Sequence, residues 1–178
     1  MHFKRMVLLS ILVPTRNRAG DLKRCLALIA DAVDEAHCSD KIEVVCVDNW
    51  SVDDTSEVIA AARARMPYLR AERHHEERPS AEASYFHGAA FCRGEFVWSF
   101  GDDDEIDPGA LTRLIPLLGA EDFYLINMRI AADGRLHHYI LSSSANVRYG
   151  KASDLFKDLG VVFRRRRRYR ACAFADRF

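Results

Sequence analysis

No stretch of the 178 residues approaches the ~20 consecutive apolar residues that a membrane-spanning helix needs. Lys4-Arg5 followed by Met6 to Val13 imitates the start of a signal peptide. The run is short, stops at Pro14 and leads into Thr-Arg-Asn-Arg in place of a small-residue cleavage site. The cysteines are scattered and unpaired in sequence. Cys25, Cys38, Cys46, Cys92 and Cys172 make an odd set with no C-x-x-C pair, which argues against a disulfide scaffold and a zinc site and suits a reducing compartment. No internal repeat is found, and the formal net charge is zero. The expectation is a soluble cytoplasmic protein, with peripheral contact at the inner membrane left open.

What the chain does have is a core and an order of elements. The length suits one sizeable α/β domain and is short for two, and a hydrophobic share of 49% supports a real core. Val7 to Val13 is an apolar run rich in β-branched residues, the pattern of a strand buried on both faces of a parallel sheet. Pro14 to Gly20 reads as a polar loop, and Asp21 as the N-cap of a helix from Leu22 to about Val33. Ile42 to Val47 is a second strand ending in Asp48, and Asp54 to Met66 a second helix stopped by Pro67. This is β-α-β-α, the opening of a doubly wound sheet. Tyr68 to Glu72 suits a short third strand, Ala81 to Cys92 a helix, Phe96 to Phe100 a strand and Gly109 to Leu118 a helix. Phe123 to Ile130 is a further strand, with a hairpin turn at Ala132 to Arg135 leading into Leu136 to Leu141. A loop at Ser142 to Ser144 and a short helix from Ser153 to Leu159 follow.

The chemistry concentrates where the strand Phe96 to Phe100 runs into Asp102, Asp103 and Asp104. Adjacent carboxylates repel one another, and a hard divalent cation, Mg²⁺ or Mn²⁺, is the usual way to hold them together at a strand end. The plainer reading is a solvated acidic turn in which Asp107 and Pro108 serve as N-cap and first helical residue. Two other loops follow strands, Pro14 to Arg18 and Asp48 to Asp54, and in open α/β sheets that edge is where ligands bind.

In order and spacing the three loops resemble family-2 glycosyltransferases of the GT-A fold. The matching motifs are Pro14-Thr15-Arg16-Asn17-Arg18, then Asp48-Asn49-Trp50-Ser51-Val52-Asp53-Asp54-Thr55, then Asp102-Asp103-Asp104 within residues 7–118. The wording Gly94-Glu95-Phe96-Val97-Trp98 before the acidic turn is similar to the abequosyltransferase-like, O-antigen branch. The resemblance implies a Rossmann-like, mostly parallel sheet flanked by helices, with an incomplete C-terminal acceptor part. It implies a metal-dependent, inverting transfer of sugar from a nucleotide-diphosphate donor to a glycan or lipid-linked acceptor. Pro14, Thr15, Asn17, Arg18, Asp48, Ser51, Asp53, Asp102 and Asp103 would bind the donor, with Asp102 and Asp104 on Mn²⁺ or Mg²⁺. No residue is assigned the part of the catalytic base. Tyr85-Phe86 stand where the family has Arg-Asn, and Trp50 stands where it has a small residue, which would narrow the base pocket.

Two other classes compete. A sugar-phosphate nucleotidyltransferase would want a glycine-rich phosphate loop, and Pro14 to Gly20 holds one glycine. A polyanion binder would work through Arg164 to Arg170, but leaves the acidic turn without a role, and nucleic acid is not the expected partner. Residues 164–178 hold seven of the 26 Lys and Arg and one of the 26 Asp and Glu, leaving residues 1–163 with a net charge of −6. The expected division is one domain over 1–163 and a basic, disordered or aberrant tail over 164–178. His74-His75 and His137-His138 are expected as solvated residues, and Cys46 and Cys92 as core filler.

Overall fold

The computed structural model describes residues 6–75 and 81–120, together with five strand segments beyond them. Its contacts gather into two compact units, Met1–Leu118 and Gly119–Phe178. The first unit holds a four-stranded parallel sheet, β1 (Leu9–Thr15), β2 (Ile42–Asp48), β3 (Leu69–Arg73) and β4 (Phe96–Ser99), in the order β3-β2-β1-β4. The helices are α1 (Ala19–Glu35), α2 (Thr55–Ala62), α3 (Ala81–Ala89) and α4 (Ala110–Leu114), and a 3-10 turn follows at Ile115–Leu117. This is the α/β, mostly parallel architecture expected from the sequence.

Both central strands are buried along their whole length, which is why they read as unbroken apolar runs instead of alternating ones. On one face Leu12, Val45 and Val47 pack against Tyr85, Phe91 and Cys92. Ile11, Val13, Val44 and Cys46 are fully buried, each aliphatic side chain contributing roughly 1.5–3 kcal/mol of transfer free energy. In α1, Leu22, Cys25, Leu26, Ile29 and Val33 are buried as their spacing predicts.

One buried polar group ties the sheet together at its amino end. Glu43 accepts hydrogen bonds from Ser10 Oγ at 2.7 Å and from the Arg93 N–H, and pairs with Arg70 Nη1 at 3.2 Å. Ser10 Oγ in turn accepts from the Gly94 N–H at 2.8 Å. The group joins β1, β2 and β3 to the residues that lead into β4. A Cβ on Gly94 would come within 2.5 Å of the Ser10 backbone nitrogen, so only glycine allows this approach.

Several boundaries differ from the sequence reading. Pro14 and Thr15 continue β1 instead of opening a loop, in register with Val47 and Asp48. The carbonyls of Leu8 and Leu12 face β4, where they accept from Phe96 and Phe100, so the nitrogen of Pro14 faces that side too. Pairing with β4 ends at Leu12, and the missing donor therefore breaks no ladder bond. α1 starts at Ala19, two residues before the expected cap, which places Asp21 in its first turn beside Arg18. Gly109, at φ +72°, is the N-cap of α4, in place of Asp107. His74 is buried, its ring 4.5 Å from that of His87, whereas His75 is exposed.

The second unit holds β5 (Phe123–Ile126), β6 (Arg129–Ala132), β7 (Arg135–Tyr139), β8 (Val147–Tyr149) and β9 (Ala171–Phe174). β6 and β7 form the expected antiparallel hairpin. Ala171–Phe174, expected to lack structure, forms a strand parallel to β5 and antiparallel to β8. Four small or apolar residues suffice when a partner lies on each side. The helix expected over Ser153 to Leu159, the loop at Ser142 to Ser144 and the run Arg164 to Arg170 lie outside the described residues.

Candidate functional site

In the order β3-β2-β1-β4, the chain leaves β1 toward one neighbour and returns on its other side, so the crevice between the carboxyl ends of β1 and β4 is a switch point of the sheet. The residues after those two strands meet there. Thr15 Oγ1 donates to Asp102 Oδ2 at 2.7 Å. Arg18 spreads its guanidinium across the acidic turn, with Nη1 3.0 Å from Asp102 Oδ1 and Nη2 2.8 Å from Asp103 Oδ2. These pairs join residues more than 80 positions apart.

The three carboxylates have different surroundings. Asp102 is buried, 6% exposed, and burial holds its carboxyl above the ordinary range despite the Thr15 hydroxyl and Arg18. Asp103 is half exposed and pairs with Arg18. Asp104 turns Oδ2 back to accept from the Gly101 N–H at 2.9 Å. A Cβ on Gly101 would sit 2.8 Å from that oxygen, so a larger residue there would displace the Asp104 carboxylate. Beneath it, the Cys25 thiol donates to the Gly101 carbonyl at 3.5 Å. Burial first, then the nearby Asp102 and Asp104, push that thiol up to about 12, which makes it a packing group and no nucleophile.

The second loop is stitched to the first. Asp48 is buried at the end of β2; its Oδ1 accepts from the Ser51 N–H at 2.8 Å and its Oδ2 lies 3.5 Å from Arg73 Nε. Asn17, at φ +52°, donates its N–H to Ser51 Oγ at 2.9 Å and accepts the Val52 N–H on Oδ1 at 2.8 Å. Asp53 accepts from Thr55 and from the Ala19 N–H at 3.0 Å. The Thr55 hydroxyl first, then that N–H, hold its carboxyl below the usual range. Asp53 thus braces the start of α1, and Ser51 and Asn17 clasp the two loops. A shallow cavity of about 220 Å³ begins at Asp48 and Arg73 and runs between α2 and β3, lined by Ile59, Arg63 and Ala71; it does not reach the acidic turn.

Arg73 was not singled out from sequence. It lies at the carboxyl end of β3, in register with Asp48, and its Nη2 donates to the Ser51 carbonyl at 2.6 Å. The strand expected over Tyr68 to Glu72 stops one residue short of it, whereas β3 runs on to Arg73. Tyr85 is half buried, with its hydroxyl hydrogen-bonded to Ser99, and desolvation raises its pKa. Among the described residues no group of three or more His, Cys, Asp or Glu forms a cation cage by itself. The donor set still suits a hard divalent ion such as Mg²⁺, which commonly takes one or two carboxylates and completes its shell with water and phosphate oxygens.

A parallel sheet with carboxylates held at its switch point is an arrangement that α/β ligand-binding domains use. The profile of glycosyl transferase family 2 matches residues 10–170, and the chain belongs to that family. The fold is similar to that of S. aureus TarS 1-349, with a TM-score of 0.67 and 22% identity over 78% of this chain and 41% of that one. The same protein in complex with UDP-GlcNAc aligns with a TM-score of 0.65 at 22% identity, over 78% and 39% of the two chains. Mannosyltransferase PcManGT from Pyrobaculum calidifontis, in complex with GDP-Man and Mn²⁺, gives 0.53 at 26% identity, over 62% and 32%. No curated protein matches the chain. The chain spans about two-fifths of the length of TarS 1-349. No helix among the described residues is long and apolar enough to cross a membrane.

Proposed function

We propose that the chain binds a nucleotide-diphosphate sugar at the carboxyl edge of its parallel sheet and takes part in transferring the sugar, with inversion, to a glycan or lipid-linked acceptor. The observation that carries this reading is the meeting of Thr15 and Arg18 with Asp102 and Asp103 at the switch point, beside the Asp48 loop. The UDP-GlcNAc bound to TarS and the GDP-Man and Mn²⁺ bound to PcManGT support it. Asp102 and Asp104 would hold Mn²⁺ or Mg²⁺, which when bound supplies Lewis-acid neutralisation of the departing diphosphate. Arg18 brings a fixed positive charge to the same place, and Asp48 offers the donor's base or ribose a buried acceptor. Pro14, near the end of β1, would shape the pocket wall by backbone contacts. Inversion also needs a carboxylate base for the acceptor hydroxyl, and no residue is assigned to it. The Gly94 to Trp98 wording favours an O-antigen type of acceptor chemistry. The free thiols of Cys25, Cys38, Cys46 and Cys92 favour a cytoplasmic setting.

Thermal melting with UDP, GDP, CDP and dTDP, each with and without Mn²⁺, tests this reading on wild type and Asp104→Ala. A nucleotide at about 100 times its dissociation constant adds ~2.7 kcal/mol to the folded state. The expected result is a metal-dependent rise with one nucleotide that is absent in the variant. Cooperative melting with no shift for any nucleotide would sink the donor-site reading.

A further inference from the structure

Trp50 stands just past the carboxyl end of β2, at the edge of the sheet where the candidate site lies. It has 44% of its surface exposed, and its φ of +64° is a backbone conformation that a bulky residue adopts only when its surroundings impose it. The imposing contacts flank it on both sides. The Asn49 N–H donates to the Thr15 carbonyl at 2.8 Å, the Ser51 N–H to Asp48 Oδ1, the Val52 N–H to Asn17 Oδ1, and Arg73 to the Ser51 carbonyl. A loop pinned at these points holds its shape through its backbone and does not need an indole. The ring is instead braced by Arg73, whose guanidinium lies 5.9 Å from its centroid and is itself beside Asp48.

We infer that Trp50 is a stacking platform for the nucleobase of the donor, with Arg73 fixing the plane of the indole. The inference rests on the donor-site reading above and adds the residue that takes up the base. An aromatic ring in contact with an arginine that itself pairs with a buried carboxylate offers a planar heterocycle one stacked face and one hydrogen-bonded edge. An anionic phosphate would gain nothing from the face of such a ring, which is itself negative. In place of narrowing the base pocket, the large side chain at this position becomes part of the binding surface.

The test uses the full chain with Mn²⁺, titrated calorimetrically with UDP, GDP, CDP and dTDP and separately with inorganic pyrophosphate. Wild type is compared with Trp50→Gly and Trp50→Phe. Losing a base stacked on an aromatic ring weakens binding about 5- to 150-fold. Trp50→Gly should lose that much affinity for the preferred nucleotide, keep its affinity for pyrophosphate, and melt no lower than wild type, because glycine accepts positive φ without strain. Trp50→Phe should recover most of the nucleotide affinity. In a Trp98→Phe background, the nucleotide should also quench the remaining indole fluorescence, a readout that survives even if the glycine variant fails to fold. Unchanged nucleotide affinity in Trp50→Gly, an equal loss for pyrophosphate, or absent quenching would each overturn the platform while leaving the donor site standing. A wild-type chain that binds pyrophosphate and no nucleotide would remove the donor reading and the platform together.

Discussion

Glu43→Gln is expected to destabilise the first unit by roughly 3 kcal/mol, the usual scale for breaking a buried ion pair by removing one partner. The Glu43 side chain is 5% exposed and that of Arg70 27%, so the pair sits closer to the buried case than to a surface one. Glutamine can still accept from Ser10, but its amide then faces the Arg70 guanidinium, donor against donor, and leaves a half-buried charge with the Phe91 carbonyl as its main partner. In a domain of this size the midpoint should fall by about 10 °C. The pH dependence gives the sign. Burial raises the Glu43 carboxyl, yet Ser10, the Arg93 N–H and Arg70 together hold it net below its ordinary value of 4.5. The folded state therefore binds this proton less readily than the unfolded one. Its contribution is fully present above the ordinary value and is lost as pH falls through the depressed one. Melting curves from pH 7 down to pH 3 should show the gap between wild type and variant narrowing at the acid end. A gap that stayed constant would mean that the loss comes from packing and not from charge.

The same glutamate shows where the sequence was legible and where it was not. β1 and β2 could be read because they are buried on both faces, and a continuous apolar run is the direct trace of that burial. The face of α1 was legible for the same reason, since Leu22, Cys25, Leu26, Ile29 and Val33 recur at helical spacing. Glu43 sits inside such a run, and nothing local announces that its partners are Ser10, Arg70 and Arg93, residues 27 to 50 positions away. Pro14 looked like the end of a strand because proline forfeits a donor; whether the donor is needed depends on where β4 stops pairing, which is a tertiary fact. The loops that build the site could be found as motifs, but their internal division of labour could not. The motifs offer Ser51, Asn17 and Asp53 as donor-binding residues, but do not show that Asn17 also bonds to Ser51 and Val52, and Asp53 to Ala19 and Thr55. Arg73 carries no motif at all and is brought to Asp48 by strand register alone.

Asp102→Asn should separate activity from stability more sharply than any other single change at the switch point. In the proposed transfer reaction it removes a carboxylate from the place where the divalent ion would neutralise the leaving diphosphate. Lewis-acid stabilisation of that charge is worth several kcal/mol, so turnover with the preferred donor and Mn²⁺ should fall on the order of 10³-fold. Folding should change by less than about 1 kcal/mol, because two effects offset each other. The variant loses an ion pair with Arg18, whose side chain is 42% exposed and which still holds Asp103 at 2.8 Å, and pairs of that exposure are worth little. It also loses the burden of an ionised group that burial disfavours, as the raised pKa of Asp102 records. Asparagine keeps an oxygen for the Thr15 hydroxyl, so the tie between β1 and the acidic turn survives. Denaturant unfolding and a donor-consumption assay on the same preparations measure both sides. A variant that turns over normally would place the essential carboxylate elsewhere on the turn, whereas one that unfolds at room temperature would make Asp102 a structural keystone, with the loss of activity following from the loss of fold.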